Sequence, residues 1–131
     1  MEAFFGSWKF VRSENFDEFL TVAGIEEEMR NVIKVLKPII TISQEDDRLV
    51  IKSDSVIGKR ENKFRFGEEF QEETTPDKFC TSVINLEGEK LVQVQKDESR
   101  EITTVREIQD GKLIMTLTCD EVTAVVTYEK V

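Results

Sequence analysis

In the stretch 102–108 the even positions read Ile102, Thr104, Arg106 and Ile108, and the odd ones Thr103, Val105 and Glu107. Alternate residues of a strand share a face, so a strand here puts Arg106 among isoleucines. The neighbouring stretches repeat the pattern. Gln93 and Gln95 share a face with Leu91, while Leu113, Met115, Leu117 and Cys119 make one apolar face and Val122, Ala124, Val126 and Tyr128 another. A packed core does not tolerate an unpaired guanidinium, which effectively never deprotonates. Either these polar residues face solvent, with the Arg106 stem lying on the surface, or the sheet encloses a hydrated cavity. Val92 and Val94 make the other face of their strand apolar too, so parity alone leaves both readings open there. In the second reading the chemistry is recognition of an apolar anion. The guanidinium fork can hold a carboxylate through two hydrogen bonds, and the Tyr128 phenol can add a neutral donor.

Other chemistries are poorly supplied. The chain has 131 residues and no histidine. Ser-His-Asp and Cys-His catalysis lose their usual base, and two cysteines cannot make a four-cysteine zinc site. No glycine-rich phosphate loop is present. The acidic pairs Asp46-Asp47, Glu68-Glu69 and Glu72-Glu73 read as parts of solvated faces, and they lack the calcium-loop pattern. Cys80 and Cys119 read as reduced, inert thiols. No enzyme, metal or cofactor is expected. Lys and Arg number 18 against 27 Asp and Glu, a net charge of −9, which opposes nucleic-acid binding. The beginning Met1-Glu2-Ala3-Phe4-Phe5 lacks the basic and apolar regions of a signal peptide, and no stretch approaches a membrane span. The expectation is a cytoplasmic monomer.

The elements that must position Arg106 and its neighbours belong to one domain, 1–131, without linker or repeat. A helical section covers 16–36 and, with its flanks, forms a cap at about 15–37. Asn15 with Glu18 reads as a capping box. Phe16, Phe19, Leu20 and Ala23 keep helical spacing, and Gly24 can end this helix in a left-handed conformation. Ile25, Met29, Val32, Ile33 and Leu36 form one face of a second helix, which Pro38 stops. Strands are expected at 6–13, 39–45, 49–53, 60–66, 69–74, 78–86, 90–96, 102–109, 112–120 and 122–130. Asp46-Asp47, Gly67-Glu68, Gly88-Glu89 and Asp110-Gly111 make the tight turns. Such short connections leave no room for parallel crossovers, so the sheet is an antiparallel meander. It is best served by a ten-stranded up-and-down barrel, mostly β, that removes exposed edges. The helix-turn-helix caps one end.

Gly6-Ser7-Trp8-Lys9-Phe10 followed by Asn15-Phe16-Asp17-Glu18-Phe19-Leu20 resembles the N-terminal signature of the intracellular lipid-binding proteins, the cytosolic fatty-acid-binding proteins. Ser13-Glu14-Asn15-Phe16-Asp17 looks like the heart, adipocyte and myelin branch. Lys37-Pro38, Ile51-Lys52-Ser53, Phe64, Gly67 with Glu69-Phe70, Val94-Gln95-Lys96, Thr103-Thr104 with Arg106, and Tyr128-Glu129-Lys130-Val131 keep that branch's spacing. The resemblance spans essentially the whole chain. It implies a clam-like barrel of ten strands that carries one long-chain fatty acid, or a similar hydrophobic ligand, in a water-containing cavity. By position, Arg106 and Tyr128 match the carboxylate-binding residues. Phe16, Phe19, Leu20, Ile25, Met29, Ile33, Ile57, Thr75 and Pro76 match the portal and tail-contacting wall. Ile40, Ser53, Gln95, Thr104, Met115 and Leu117 match interior positions. The resemblance also implies transient membrane contact through the helix cap, for which Arg30, Lys34 and Lys37 offer a basic stripe; the same residues equally complement the helix dipole.

The chain departs from the branch in three places. The usual Arg-x-Tyr becomes Val126-Thr127-Tyr128, which leaves Arg106 as the one arginine of the head-group pair. Ile57 stands where the branch often has phenylalanine. Thr21 and Asn31 replace basic residues of a nuclear-import cluster, so that role is not carried over. Losing one arginine makes the cavity less positive and opens it to retinoids or neutral lipids such as alcohols, amides and monoacylglycerols. Two further readings are an extracellular lipocalin, which shares Gly-x-Trp, and a dry barrel serving only as an interaction module.

Overall fold

Short turns tie most strands to their sequence neighbours, and much of the fold follows from that constraint. The computed structural model describes residues 2–56, 58–75, 78–98 and 100–131. A 3-10 turn, Glu2–Phe4, leads into β1 (Gly6–Glu14), α1 (Phe16–Val22) and α2 (Glu27–Leu36). The remaining strands are β2 (Ile39–Glu45), β3 (Arg48–Ser55), β4 (Gly58–Phe64), β5 (Phe70–Thr75), β6 (Lys78–Glu87), β7 (Lys90–Lys96), β8 (Glu101–Gln109), β9 (Lys112–Cys119) and β10 (Val122–Lys130). They form one antiparallel sheet in the order β4-β3-β2-β1-β10-β9-β8-β7-β6-β5. β1 joins the ends of the meander. Its first half pairs with β2, and Trp8–Glu14 continues along β10, past an irregularity between Phe10 and Arg12.

The sheet closes less completely than the sequence suggests. β4 and β5 are not neighbours in the ladder, so two edges remain. Beyond β4 the chain turns away from that strand. Glu68 N–H donates to the Arg65 carbonyl, and Gly67 N–H donates to the Ile84 carbonyl on β6, which commits the next strand to β6. Side chains bridge the opening. Asn62 Nδ2 donates to Glu72 Oε2 at 3.1 Å, and the Phe64 and Phe70 rings stack with centroids 5.3 Å apart. The Asp110-Gly111 turn forms as expected, with φ of 52° and 76°, the left-handed pair that a two-residue hairpin requires.

The floor of the barrel explains the Gly6-Ser7-Trp8 motif. Trp8 is buried within the main core cluster with Phe4, Ile42, Leu91, Leu113 and Tyr128. Its Nε1–H donates to the Phe4 carbonyl at 2.9 Å. Lys130 Nζ lies 4.6 Å from the Trp8 ring centroid and donates to the Phe5 carbonyl. Gly6 has φ +123°, and a Cβ there would stand 2.6 Å from Lys130 Nζ. Glycine is therefore favoured for the conformation, while the Lys130 ammonium, at the end of a flexible side chain, can move aside from a Cβ.

The cap differs from expectation at its first residue. Asn15 adopts φ 61° and makes no side-chain capping bond. Its amide instead donates to the Thr123 carbonyl at 3.0 Å. A left-handed residue at this corner turns the chain from β1 into α1, and it takes the side chain away from the helix N–H groups that the usual extended N-cap reaches. Gly24 does take the left-handed conformation, with φ +81°. The Arg100 guanidinium lies against this turn. Arg100 Nε donates to the Val22 carbonyl at 2.9 Å, and a Cβ on Gly24 would meet Arg100 Nη1 at 2.5 Å. Gly24→Ala should therefore destabilise the fold by about 1–2 kcal/mol, chiefly from backbone strain at positive φ. Urea unfolding of the two proteins checks it.

Candidate functional site

Parity along the strands resolves the ambiguity of Arg106. Arg106 stands opposite Leu91 on β7 and Met115 on β9, and Met115 stands opposite Val126 on β10. Gln93 and Leu91 are buried, whereas Val92 and Val94 keep more surface. The glutamine face of β7 thus points inward, and Arg106 Nη1 donates to Gln93 Oε1 at 2.8 Å. The guanidinium is deep in the barrel. Burial pushes its pKa below the ordinary arginine value, opposed by the charge of Glu72 and the influence of Tyr128.

A polar cluster extends from Arg106 across the barrel wall. Gln93 Nε2 donates to Ser82 Oγ at 2.8 Å and to Glu72 Oε1 at 3.0 Å. Glu72 Oε1 also accepts from Ser82 Oγ at 3.0 Å and from Gln95 Nε2 at 2.8 Å. With Asn62 on its other oxygen, Glu72 gathers donors from β4, β6 and β7. This overturns the reading of Glu72-Glu73 as a pair on a solvated face, as far as Glu72 is concerned. The signal was present in the register: Glu72 shares a face with Phe70, an inward aromatic.

Tyr128 is buried among the core residues, edge-on to Phe10 at 6.3 Å. Among the described residues its hydroxyl makes no hydrogen bond with protein. Burial pushes its pKa up to about 12, with Arg106 pulling the other way, so the phenol is a donor at neutral pH. It is the only tyrosine, which makes a clean prediction. Tyrosinate absorbance should appear near pH 12 in the folded protein rather than near the ordinary value of about 10. The folded state holds the proton more tightly, so stability is full below about pH 10 and falls as pH rises towards 12.

A cavity of about 330 Å³ runs beneath the cap, at the small end of ligand-pocket sizes. Its lining includes Phe16, Ile33, Val126 and Tyr128, together with Phe10, Lys37 and Pro38, which the site prediction lacked. The other predicted residues are distributed around it. Phe19 and Leu20 pack into a buried cluster with Cys119 and Ala124, against which Ile25, Ile33, Ile102 and Leu117 lie. Met29 is half-buried on α2. Ile40 and Ser53 oppose each other across β2 and β3, and Thr104 is buried opposite Gln93 and Leu117. Gln95 and Met115 belong to the polar cluster and to its apolar flank. Thr75 ends β5; Ile57 and Pro76 lie outside the described residues.

The basic stripe of α2 is partly engaged within the cap. Asp17 Oδ1 lies 3.2 Å from Lys34 Nζ and 3.8 Å from Arg30 Nε. Arg30 Nη1 also donates to the Ile25 carbonyl at 2.7 Å. These contacts clasp α1 to α2 at the cavity mouth, which Asp17 and Lys34 line. Cys80 and Cys119 are both free and buried. Burial pushes the Cys80 thiol up to about 11, with Glu72 adding to the shift, and moves Cys119 in the same direction, so neither is an activated nucleophile. No described helix is long and apolar enough to cross a membrane.

The ten-stranded fold with its helical cap is shared with known proteins. Residues 5–131 match the model of the Lipocalin / cytosolic fatty-acid binding protein family. Fatty-acid-binding protein 1 of Echinococcus granulosus is 32% identical, with 100% of this chain and 99% of that chain covered and a TM-score of 0.93. The Schistosoma mansoni fatty acid binding protein, solved in complex with arachidonic acid, is 30% identical over 100% of this chain and 98% of that one, with a TM-score of 0.94. The fluorescent protein UnaG is 42% identical, covering 99% of this chain and 98% of that chain at a TM-score of 0.90. The chain belongs to the lipocalin and cytosolic fatty-acid-binding protein family, a family of non-enzymatic lipid carriers.

Proposed function

We propose that this protein carries one long-chain fatty acid inside the barrel, with the carboxylate at Arg106 and Tyr128 and the tail running towards the cap. The observation that carries this reading is the inward-facing guanidinium opposite Leu91 and Met115, together with the buried Tyr128 phenol, which lines the cavity beneath the cap and has no protein hydrogen bond among the described residues. Gln93 takes one N–H of the guanidinium, and the other donors of the planar fork suit a carboxylate on an apolar tail. The ligand enters through the portal under the helices, and water fills what the ligand leaves. The protein works as a cytoplasmic monomer whose cap touches membranes transiently. Delipidated protein should take up one equivalent of palmitate in a saturable titration. Absence of saturable binding would instead favour an interaction module.

A carrier of neutral lipids or retinoids is the second reading. Val126 favours it, because a buried valine takes the place beside Tyr128 where a second cation would sit. The 42% likeness to a fluorescent protein of the same fold supports looking for a chromophore. Visible absorbance in the purified protein, retained through gel filtration, would select this reading.

The clasp at Asp17 sets the exchange rate in either case. Asp17→Asn should speed ligand uptake and release several-fold in stopped-flow fluorescence. Its effect on stability should stay below about 1 kcal/mol, because the ion pairs are at the surface.

A further inference from the structure

Arg106 does not wait for a ligand with its charge unanswered. Its Nη1–H is held by Gln93, and Gln93 donates in turn to Glu72. Glu72 accepts four hydrogen bonds, three of them on one oxygen, an arrangement that suits an ionised carboxylate. The two formal charges of this cluster cancel. Arg60, which shares the inward parity of Asn62 and Phe64 on β4, is exposed. Among the described residues, the titratable groups that act on one another around this interior are Glu72 on β5, Cys80 on β6, Arg106 on β8 and Tyr128 on β10, with Asp97, just beyond β7, acting on Cys80.

A site with net zero charge treats head groups differently from one with a free cation. An alcohol, amide or glycerol head adds hydrogen bonds and leaves the balance intact. A carboxylate brings a second negative charge into a poorly solvated interior, where like charges repel strongly. That charge must be answered, and Glu72 is the group within the cluster that can answer it by taking a proton from solvent. Protonated Glu72 then becomes a donor, and Asn62 can turn its amide so that the carbonyl oxygen accepts. Arg106 is released to the ligand carboxylate.

We propose that Glu72 is a specificity-determining residue. As the built-in counter-charge of Arg106, it admits uncharged lipid heads on favourable terms and makes fatty-acid binding depend on uptake of one proton. This rests on the carrier reading and names the head-group class that the same site takes.

The experiment compares hexadecanoic acid with hexadecanol by isothermal titration calorimetry, for the native protein and for Glu72→Gln, in two buffers of different ionisation enthalpy at one pH. In the native protein the acid should bind with uptake of close to one proton and the alcohol with none. In Glu72→Gln the acid should tighten roughly ten- to hundred-fold relative to the alcohol, and its proton uptake should vanish. An acid-to-alcohol ratio that does not move in the variant, or acid binding to the native protein without proton uptake, overturns the proposal while leaving the carrier reading intact. Failure of both ligands to bind the native protein overturns both. The native measurement stands even if the variant does not fold.

Discussion

Replacing Arg106 by Gln should weaken long-chain fatty-acid binding by roughly 30- to 1000-fold, or about 2–4 kcal/mol. The matching alcohol should move by less than about fivefold. The difference arises because tail and head do separate work. Some 15 methylenes at about 0.8 kcal/mol each supply roughly 12 kcal/mol of gross burial energy, and immobilising the ligand opposes several kcal/mol of it. That part survives the mutation. What is lost is the charge-assisted fork at the inner end, where burial already disfavours an isolated guanidinium and where Val126 supplies no second cation. Calorimetric titration of both ligands against both proteins measures it. Equal weakening of acid and alcohol would show that Arg106 acts on the shape of the interior and not on the charge of the head. The variant should fold, since Glu72 keeps its bonds from Asn62, Ser82, Gln93 and Gln95.

Trp8→Ala should destabilise the protein by about 3–5 kcal/mol, lowering the melting temperature by roughly 10–20 °C. Trp8 is 2% exposed and touches the floor cluster from several elements. Its removal leaves a cavity, strips Lys130 of its aromatic platform and leaves the Phe4 carbonyl without its donor. Trp8→Phe keeps the platform and most of the volume, so it should lose only the indole bond and a smaller void, about 1–2 kcal/mol. Thermal and denaturant unfolding separate the two. Trp8 does not line the cavity beneath the cap, so the folded fraction of either variant should keep its ligand affinity. A variant as stable as the native protein would contradict the reading of the Gly6-Ser7-Trp8 motif as a structural plug.

Strand positions and turns were legible in the sequence because each rests on local chemistry. Asp110-Gly111 demands its turn, and the alternation around Arg106 groups it with isoleucines, though the buried side of that face came from the pairing with Leu91 and Met115. The two-arm pairing of β1 and the unpaired edges of β4 and β5 were not legible, since they depend on how ten strands share curvature. Asn15 misled because its residue type suits an N-cap while its backbone serves the corner between β1 and α1. Arg106 and Tyr128 were readable as polar groups on apolar strand faces, and both are placed inward. Glu72 was missed because the neighbouring acid made the pair look like a solvated face, although alternation places Glu72 on the same face as Phe70. The convergence of Asn62, Ser82, Gln93 and Gln95 from three strands then fixes its role.

The most direct test of the whole account is a crystal structure of the protein with a bromine-tipped long-chain fatty acid, located by anomalous scattering. The account predicts one molecule inside the barrel, its carboxylate within hydrogen-bond reach of Arg106 and Tyr128 and its bromine towards the helix cap. A carboxylate at the portal with the bromine beside Arg106, or a lipid bound only on the outer surface, would contradict it.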